Sequence, residues 1–165
     1  MTFDPTLLEA ATKLLEAARA RGLLIATAES CTGGLLAGAL TAIAGSSDVF
    51  ERGFVTYSNA AKVAELGVPE TILARHGAVS AETARAMAEG ALGHSLADVA
   101  LAVTGVAGPG GGSADKPVGL VHIAAARRGR ATRHEELRLG DIGRSAVRIE
   151  TVRRALALIA AMVEG

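Results

Sequence analysis

Apolar positions recur at helical spacing from the start of the chain. Leu7, Leu8, Ala11, Leu14, Leu15 and Ala18 fall three and four apart, which predicts an amphipathic helix. Asp4 or Thr6 supplies its cap, Pro5 suits its first turn, and Gly22 ends it. Leu23 to Ala28 is a short, mostly apolar stretch, interrupted only by Thr27, and reads as a buried strand. A polar, glycine-ended segment follows at once, Glu29-Ser30-Cys31-Thr32-Gly33-Gly34, and Leu35 to Ile43 then reads as a helix with small faces. Gly45-Ser46-Ser47 is a loop, and Phe50 to Tyr57 is a strand. Short helices are predicted at Ala60 to Leu66 and Pro69 to Arg75, each closed by a glycine. Ser80 caps a longer Ala-rich helix from Ala81 to Leu92. Further strands are predicted at Ala97 to Val103, Val118 to Ala126 and Arg130 to Leu139, and a last helix runs from Ser145 to Met162.

Strands and helices interleave along the whole length, so the expected class is α/β, with helices on both faces of one sheet. The 165 residues suit a single domain, 1–165, with no linker and no internal repeat. Composition sharpens this picture. Alanine supplies 35 residues and glycine 20, while aromatics are 2% of the chain. With 50% apolar residues the chain is not of the disordered class, and its core must be built from small side chains.

Seventeen basic and seventeen acidic residues balance, against a general nucleic-acid binder. The balance is global only, because residues 127–154 hold nine arginines against four acids. One cysteine excludes an internal disulfide and a cysteine-rich metal site. The charged, amphipathic start is not a signal peptide, and no apolar run approaches a membrane span. The expected location is the cytoplasm, with no membrane partner.

The strand–turn–helix at Glu29 to Gly34 is the first candidate for chemistry. A helix N-terminus offers free N–H groups, and Gly33 and Gly34 let the backbone close around an anion or oxyanion. Ser30, Cys31 and Thr32 compete for the reactive role; the bland alternative is an N-cap beside a small buried thiol. No Lys follows at Walker spacing, and the flanking residues do not fit G-x-S-x-G.

The second candidate is Tyr57-Ser58-Asn59-Ala60-Ala61-Lys62. It holds the only Tyr and one of three lysines in a chain with fourteen arginines. Where only charge is needed this chain uses Arg, so a lysine is informative: burial lowers its pKa and makes it a base. A Ser nucleophile with a Lys base needs no His or Asp. The alternative is a lysine on an exposed helical turn.

The third is the loop Thr104-Gly105-Val106-Ala107-Gly108-Pro109 and the glycines after it, at a strand's C-terminal end, where open α/β sheets bind ligands. Arg144 and Arg148, one turn apart, either share a ligand phosphate or make surface ion pairs. The four histidines show no metal-ligand spacing.

Taken together, Ala28 to Gly34, Gly45-Ser46-Ser47, Val55 to Asn59 with Lys62, Gly77 to Ser80, Thr104 to Pro109 and Lys116 to Gly119 resemble the CinA C-terminal domain family. The resemblance covers about residues 7–162. It implies a three-layer α/β/α sandwich with a mostly parallel or mixed sheet, usually a homo-oligomer, dimer or higher. It implies hydrolysis of the carboxamide of nicotinamide mononucleotide, a small-molecule nucleotide, with no metal and no cofactor required. By resemblance Ser30 is the nucleophile and Lys62 the base, with Tyr57 nearby as a third catalytic candidate; Lys62 or Tyr57 is the expected proton donor to the departing ammonia. Thr32, Gly33, Gly34, Ser46, Asn59, Thr104, Gly105, Gly108, Arg144 and Arg148 are the expected substrate-binding residues. N–H groups near Thr32 and Gly33 are the expected oxyanion donors. One departure stands out: Ile142-Gly143 separates Gly140-Asp141 from Arg144, where the family places the arginine directly after Gly-Asp. The reading here is a two-residue insertion with Arg144 in the usual arginine's place. The alternative function is a nucleotide-binding or competence-associated interaction module without turnover.

Overall fold

A computed structural model describes residues 3–165. Asp4 caps α1 (Pro5–Ala20) by accepting from the Leu7 N–H at 3.0 Å, and Pro5 occupies the first turn. The chain continues through β1 (Ile25–Glu29), α2 (Leu35–Thr41), a 3-10 turn (Ser46–Asp48), β2 (Phe50–Val55), α3 (Asn59–Leu66) and α4 (Glu70–His76). Then come α5 (Ala81–Gly93), β3 (Val99–Gly105), β4 (Leu120–Arg127), β5 (Arg133–Arg138) and α6 (Arg144–Glu164). Ser58 and Ser80 cap α3 and α5 through their hydroxyls, the second as its place before an apolar period predicts.

The five strands form one sheet in the order β2-β1-β3-β4-β5. β2, β1 and β3 are parallel, whereas β4 and β5 are antiparallel additions, so the sheet is mixed. Side chains of a strand alternate between faces, and the two faces differ in kind. One carries Ile25, Val99, Leu101, Val103, Val121 and Ile123 against α1, α2 and α6. The other carries Ala26, Ala28, Ala100, Ala102, Ala124 and Ala126, packed chiefly against α5. A floor of methyl groups lets that helix lie close to the sheet, and it meets the floor with Ala84, Met87, Ala88 and Ala91. This is the three-layer α/β/α arrangement, and it explains a core with so few aromatics. Among the described residues no helix is long and apolar enough to cross a membrane.

Candidate active site

The parallel strands β1 and β3 end side by side, with Glu29 opposite Val103. Ser30 follows directly. Its N–H donates to Val103 O and its carbonyl accepts from the Gly33 N–H, both at 2.9 Å, so the serine sits at the start of a tight turn. Gly33 has φ +57, the left-handed conformation that favours glycine.

Glu29, the last residue of β1, is fully buried, and its carboxylate accepts from Leu36 N at 2.8 Å and Ala37 N at 3.0 Å. The first turn of α2 is therefore held by the protein's own anion. The Gly33 N–H is also committed, to Ser30 O. Thr32 N–H and Gly34 N–H have no backbone acceptor among the described residues. Of the two expected oxyanion donors, the Gly33 N–H is thus already used, and the Thr32 N–H remains a candidate. Glu29 was missed in the sequence; its signal was an acid at the end of an otherwise apolar strand.

Lys62 reaches the serine from α3. Its side chain is 1% exposed, and Nζ lies 3.0 Å from Ser30 Oγ and donates to Thr56 O at 2.8 Å. Thr56 is itself anchored, its N–H donating to Glu29 O. No carboxylate within salt-bridge distance of Lys62 occurs among the described residues. Burial therefore pushes its pKa below lysine's ordinary value. The alternative of an exposed lysine is excluded. Beside it, burial drives the Cys31 thiol up to about 12, so at neutral pH it is no thiolate.

Ser30, Cys31, Tyr57, Val79, Arg144 and the glycine loop after β3 enclose an open cavity of about 280 Å³. Gly105 and Gly108 line it. A Cβ at Gly105 would fall 2.7 Å from Val121 Cγ2, so close packing against β4 demands this glycine. Tyr57 is 58% exposed at the cavity lip, and Arg144 donates to its hydroxyl at 2.7 Å. The same guanidinium donates to Gly108 O at 2.8 Å, bridging the two sides of the opening. Arg144 is thus the first residue of α6 and faces the site despite the altered segment before it.

Other expected binding residues lie elsewhere. Ser46 is in the 3-10 turn before β2, at the N-terminal end of β1, a five-residue strand that spans roughly 17 Å. It does not belong to this site. Thr104 is buried and donates to Ala78 O at 2.7 Å, tying β3 to the turn before α5. Thr32 is buried, with no partner for its hydroxyl among the described residues. Gly34 precedes α2, and Asn59 is exposed at the start of α3; neither lines the cavity. Arg148 makes no surface ion pair among the described residues: its guanidinium is held by the carbonyls of Cys31 and Thr32, at 3.1 and 2.9 Å.

Comparison with known proteins places the site in context. The model of the CinA C-terminal domain matches residues 7–163. The nicotinamide-nucleotide amidohydrolase PncC of Escherichia coli is 49% identical over 154 residues, which is 93% of this chain and 92% of that protein. A putative competence-damage inducible protein of Caldicellulosiruptor bescii is 62% identical over 104 residues, 63% of this chain but 25% of its own length. This chain thus spans between a quarter and a third of the length of several of its curated relatives. Among solved structures, a competence/damage inducible protein from Agrobacterium tumefaciens superposes with a TM-score of 0.97 at 53% identity, covering 100% of this chain and 99% of that one.

Proposed function

The chain belongs to the CinA C-terminal domain family, and on that premise we propose that it hydrolyses the carboxamide of nicotinamide mononucleotide, giving nicotinate mononucleotide and ammonia. The observation that carries the reading is a buried, uncompensated lysine amine 3.0 Å from a serine hydroxyl at the mouth of a cavity. The likeness to the Escherichia coli amidohydrolase over nearly the whole of both chains supports the substrate class.

Neutral Lys62 takes the Ser30 proton as Oγ bonds to the carboxamide carbon. The oxyanion faces the Thr32 N–H; one such donor is worth about 3 kcal/mol. The Lys62 ammonium then gives its proton to the departing nitrogen, the C–N bond breaks, and ammonia leaves. Water attacks the ester, again losing its proton to Lys62, and Ser30 recovers its hydrogen as the acid departs. Arg144 and the glycine loop are the groups placed to meet the nucleotide, and Tyr57 shapes the lip. Arg144 keeps N–H donors beyond the two it uses internally, enough to receive a phosphate oxygen.

The test is ammonia release from nicotinamide mononucleotide by the wild type and by Lys62→Met. Turnover in the wild type and its loss in the variant support the reading. Nucleotide binding without ammonia favours a binding module instead. Light scattering in solution tests the homo-oligomer that the family implies.

A further inference from the structure

Arg148 has an arrangement that helix docking does not explain. It lies half-buried on α6, one turn beyond Arg144, and no carboxylate within salt-bridge distance of it occurs among the described residues. Its Nε donates to Cys31 O at 3.1 Å and its Nη2 to Thr32 O at 2.9 Å, two successive carbonyls of the turn that follows Ser30. A Cβ on Gly33 would lie 3.2 Å from the same Nη2, so the turn is shaped around the guanidinium. The helix does not need this contact to dock. Val147, Thr151, Val152 and Ala155 already bury its inner face completely.

What the fork fixes is peptide orientation. In a trans peptide the C=O and the following N–H point in opposite directions. Drawing Cys31 O toward α6 turns the Thr32 N–H away from α6, and that N–H lacks a backbone acceptor among the described residues. Thr32 O, which also accepts from the Leu35 N–H at 3.1 Å, is drawn the same way, and the Gly33 N–H on that peptide closes the turn onto Ser30 O. A cation behind both carbonyls also polarises these peptides and strengthens their N–H donors.

We infer that Arg148 is a positioning residue, whose guanidinium locks the two peptides after Ser30 so that the hydroxyl and the Thr32 N–H hold their geometry for acyl transfer. This rests on the reading of Ser30 as nucleophile. It replaces the phosphate-binding role that the sequence suggested.

The test uses a fluorophosphonate, whose phosphorus is attacked by an activated serine with loss of fluoride, read by intact mass and peptide mapping. With Arg148→Ala the labelling rate at Ser30 falls about 10²-fold, the usual effect of a small misplacement of reacting groups. Added ethylguanidinium restores part of the rate. With Arg148→Lys, which reaches one carbonyl at most, the rate falls about tenfold. On nicotinamide mononucleotide both variants lose kcat with little change in KM. They keep the wild-type preference for the nucleotide over its dephosphorylated nucleoside. Arg148→Lys labelling at the wild-type rate overturns the proposal, even if Arg148→Ala fails to fold. So does a raised KM with loss of the phosphate preference, which would make Arg148 a substrate ligand. Labelling of wild-type Ser30 without ammonia release would sink the substrate assignment and leave this proposal decided by the labelling rates. No labelling of wild-type Ser30 would sink both.

Discussion

Glu29 offers a perturbation whose size follows from its contacts. Its carboxylate is fully buried and accepts one N–H with each oxygen, from Leu36 at 2.8 Å and Ala37 at 3.0 Å. Hydrogen bonds to a charged group contribute about 1.5–3 kcal/mol each, and a buried N–H left without a partner costs about 1–3 kcal/mol. Glu29→Gln keeps one acceptor oxygen and sets its amide nitrogen against the second N–H, donor facing donor. Relief from burying a full charge works in the opposite direction. The charge here sits at a helix N-terminus with both oxygens satisfied, so the losses win, by about 2–3 kcal/mol. Glu29→Ala strands both N–H groups and costs about 3–5 kcal/mol. For a chain of this size a loss of 2–3 kcal/mol is a drop of roughly 4–12 °C in Tm. Urea unfolding at neutral pH with an unchanged m-value gives the direct measurement. A Glu29→Gln variant within about 0.5 kcal/mol of the wild type, or more stable than it, would refute the claim that this carboxylate holds α2 to the end of β1.

Four further outcomes are expected. Gly90→Ala places a methyl group against Leu66 O, where α3 ends on α5, and costs about 1–3 kcal/mol or more in urea unfolding. The kcat/KM for nicotinamide mononucleotide rises with pH through a base titrating below the ordinary lysine value of 10.5, because the neutral amine is the active form; Lys62→Arg is inactive at every pH, since guanidinium does not deprotonate. The same depression means that the unfolded state binds the extra proton between the lowered value and 10.5, so Lys62's contribution to stability rises with pH across that window and is flat below it, as a pH series of unfolding measurements will show. Tyr57→Phe removes only the exposed hydroxyl that accepts from Arg144, so stability stays within about 0.5 kcal/mol while the nucleotide KM rises.

Helix positions were legible because apolar spacing and serine caps act locally, as at Ser80. The first strand was read as ending at Ala28, one residue early, because a charged side chain argues against burial. Glu29 is buried all the same, its charge met by N–H groups seven and eight residues on. The last helix begins at Arg144 and not at Ser145, with Gly143 before it and no side-chain cap to mark the boundary. The alanines were read as lining helices. Half of their meaning lay in the strands, where they pave one sheet face, a fact visible only once strand register is known. Scarcity of lysine drew attention to Lys62, and the fold brings it to Ser30. Ser46 was misplaced, and the carbonyl contacts of Arg148 were not foreseen, for one reason. A motif gives residues in order along the chain, but not which end of a strand they occupy, nor whether a guanidinium faces a ligand or a carbonyl.

The most direct test of the account is turnover of nicotinamide mononucleotide by Ser30→Ala beside Cys31→Ala, two neighbours of which one lies within reach of Lys62 and the other is a buried thiol raised to about 12. The account predicts ammonia release by Cys31→Ala within a few-fold of the wild type, and a fall of at least about 10³-fold in Ser30→Ala with the fold intact. Full activity in Ser30→Ala, or its loss in a folded Cys31→Ala, would contradict it.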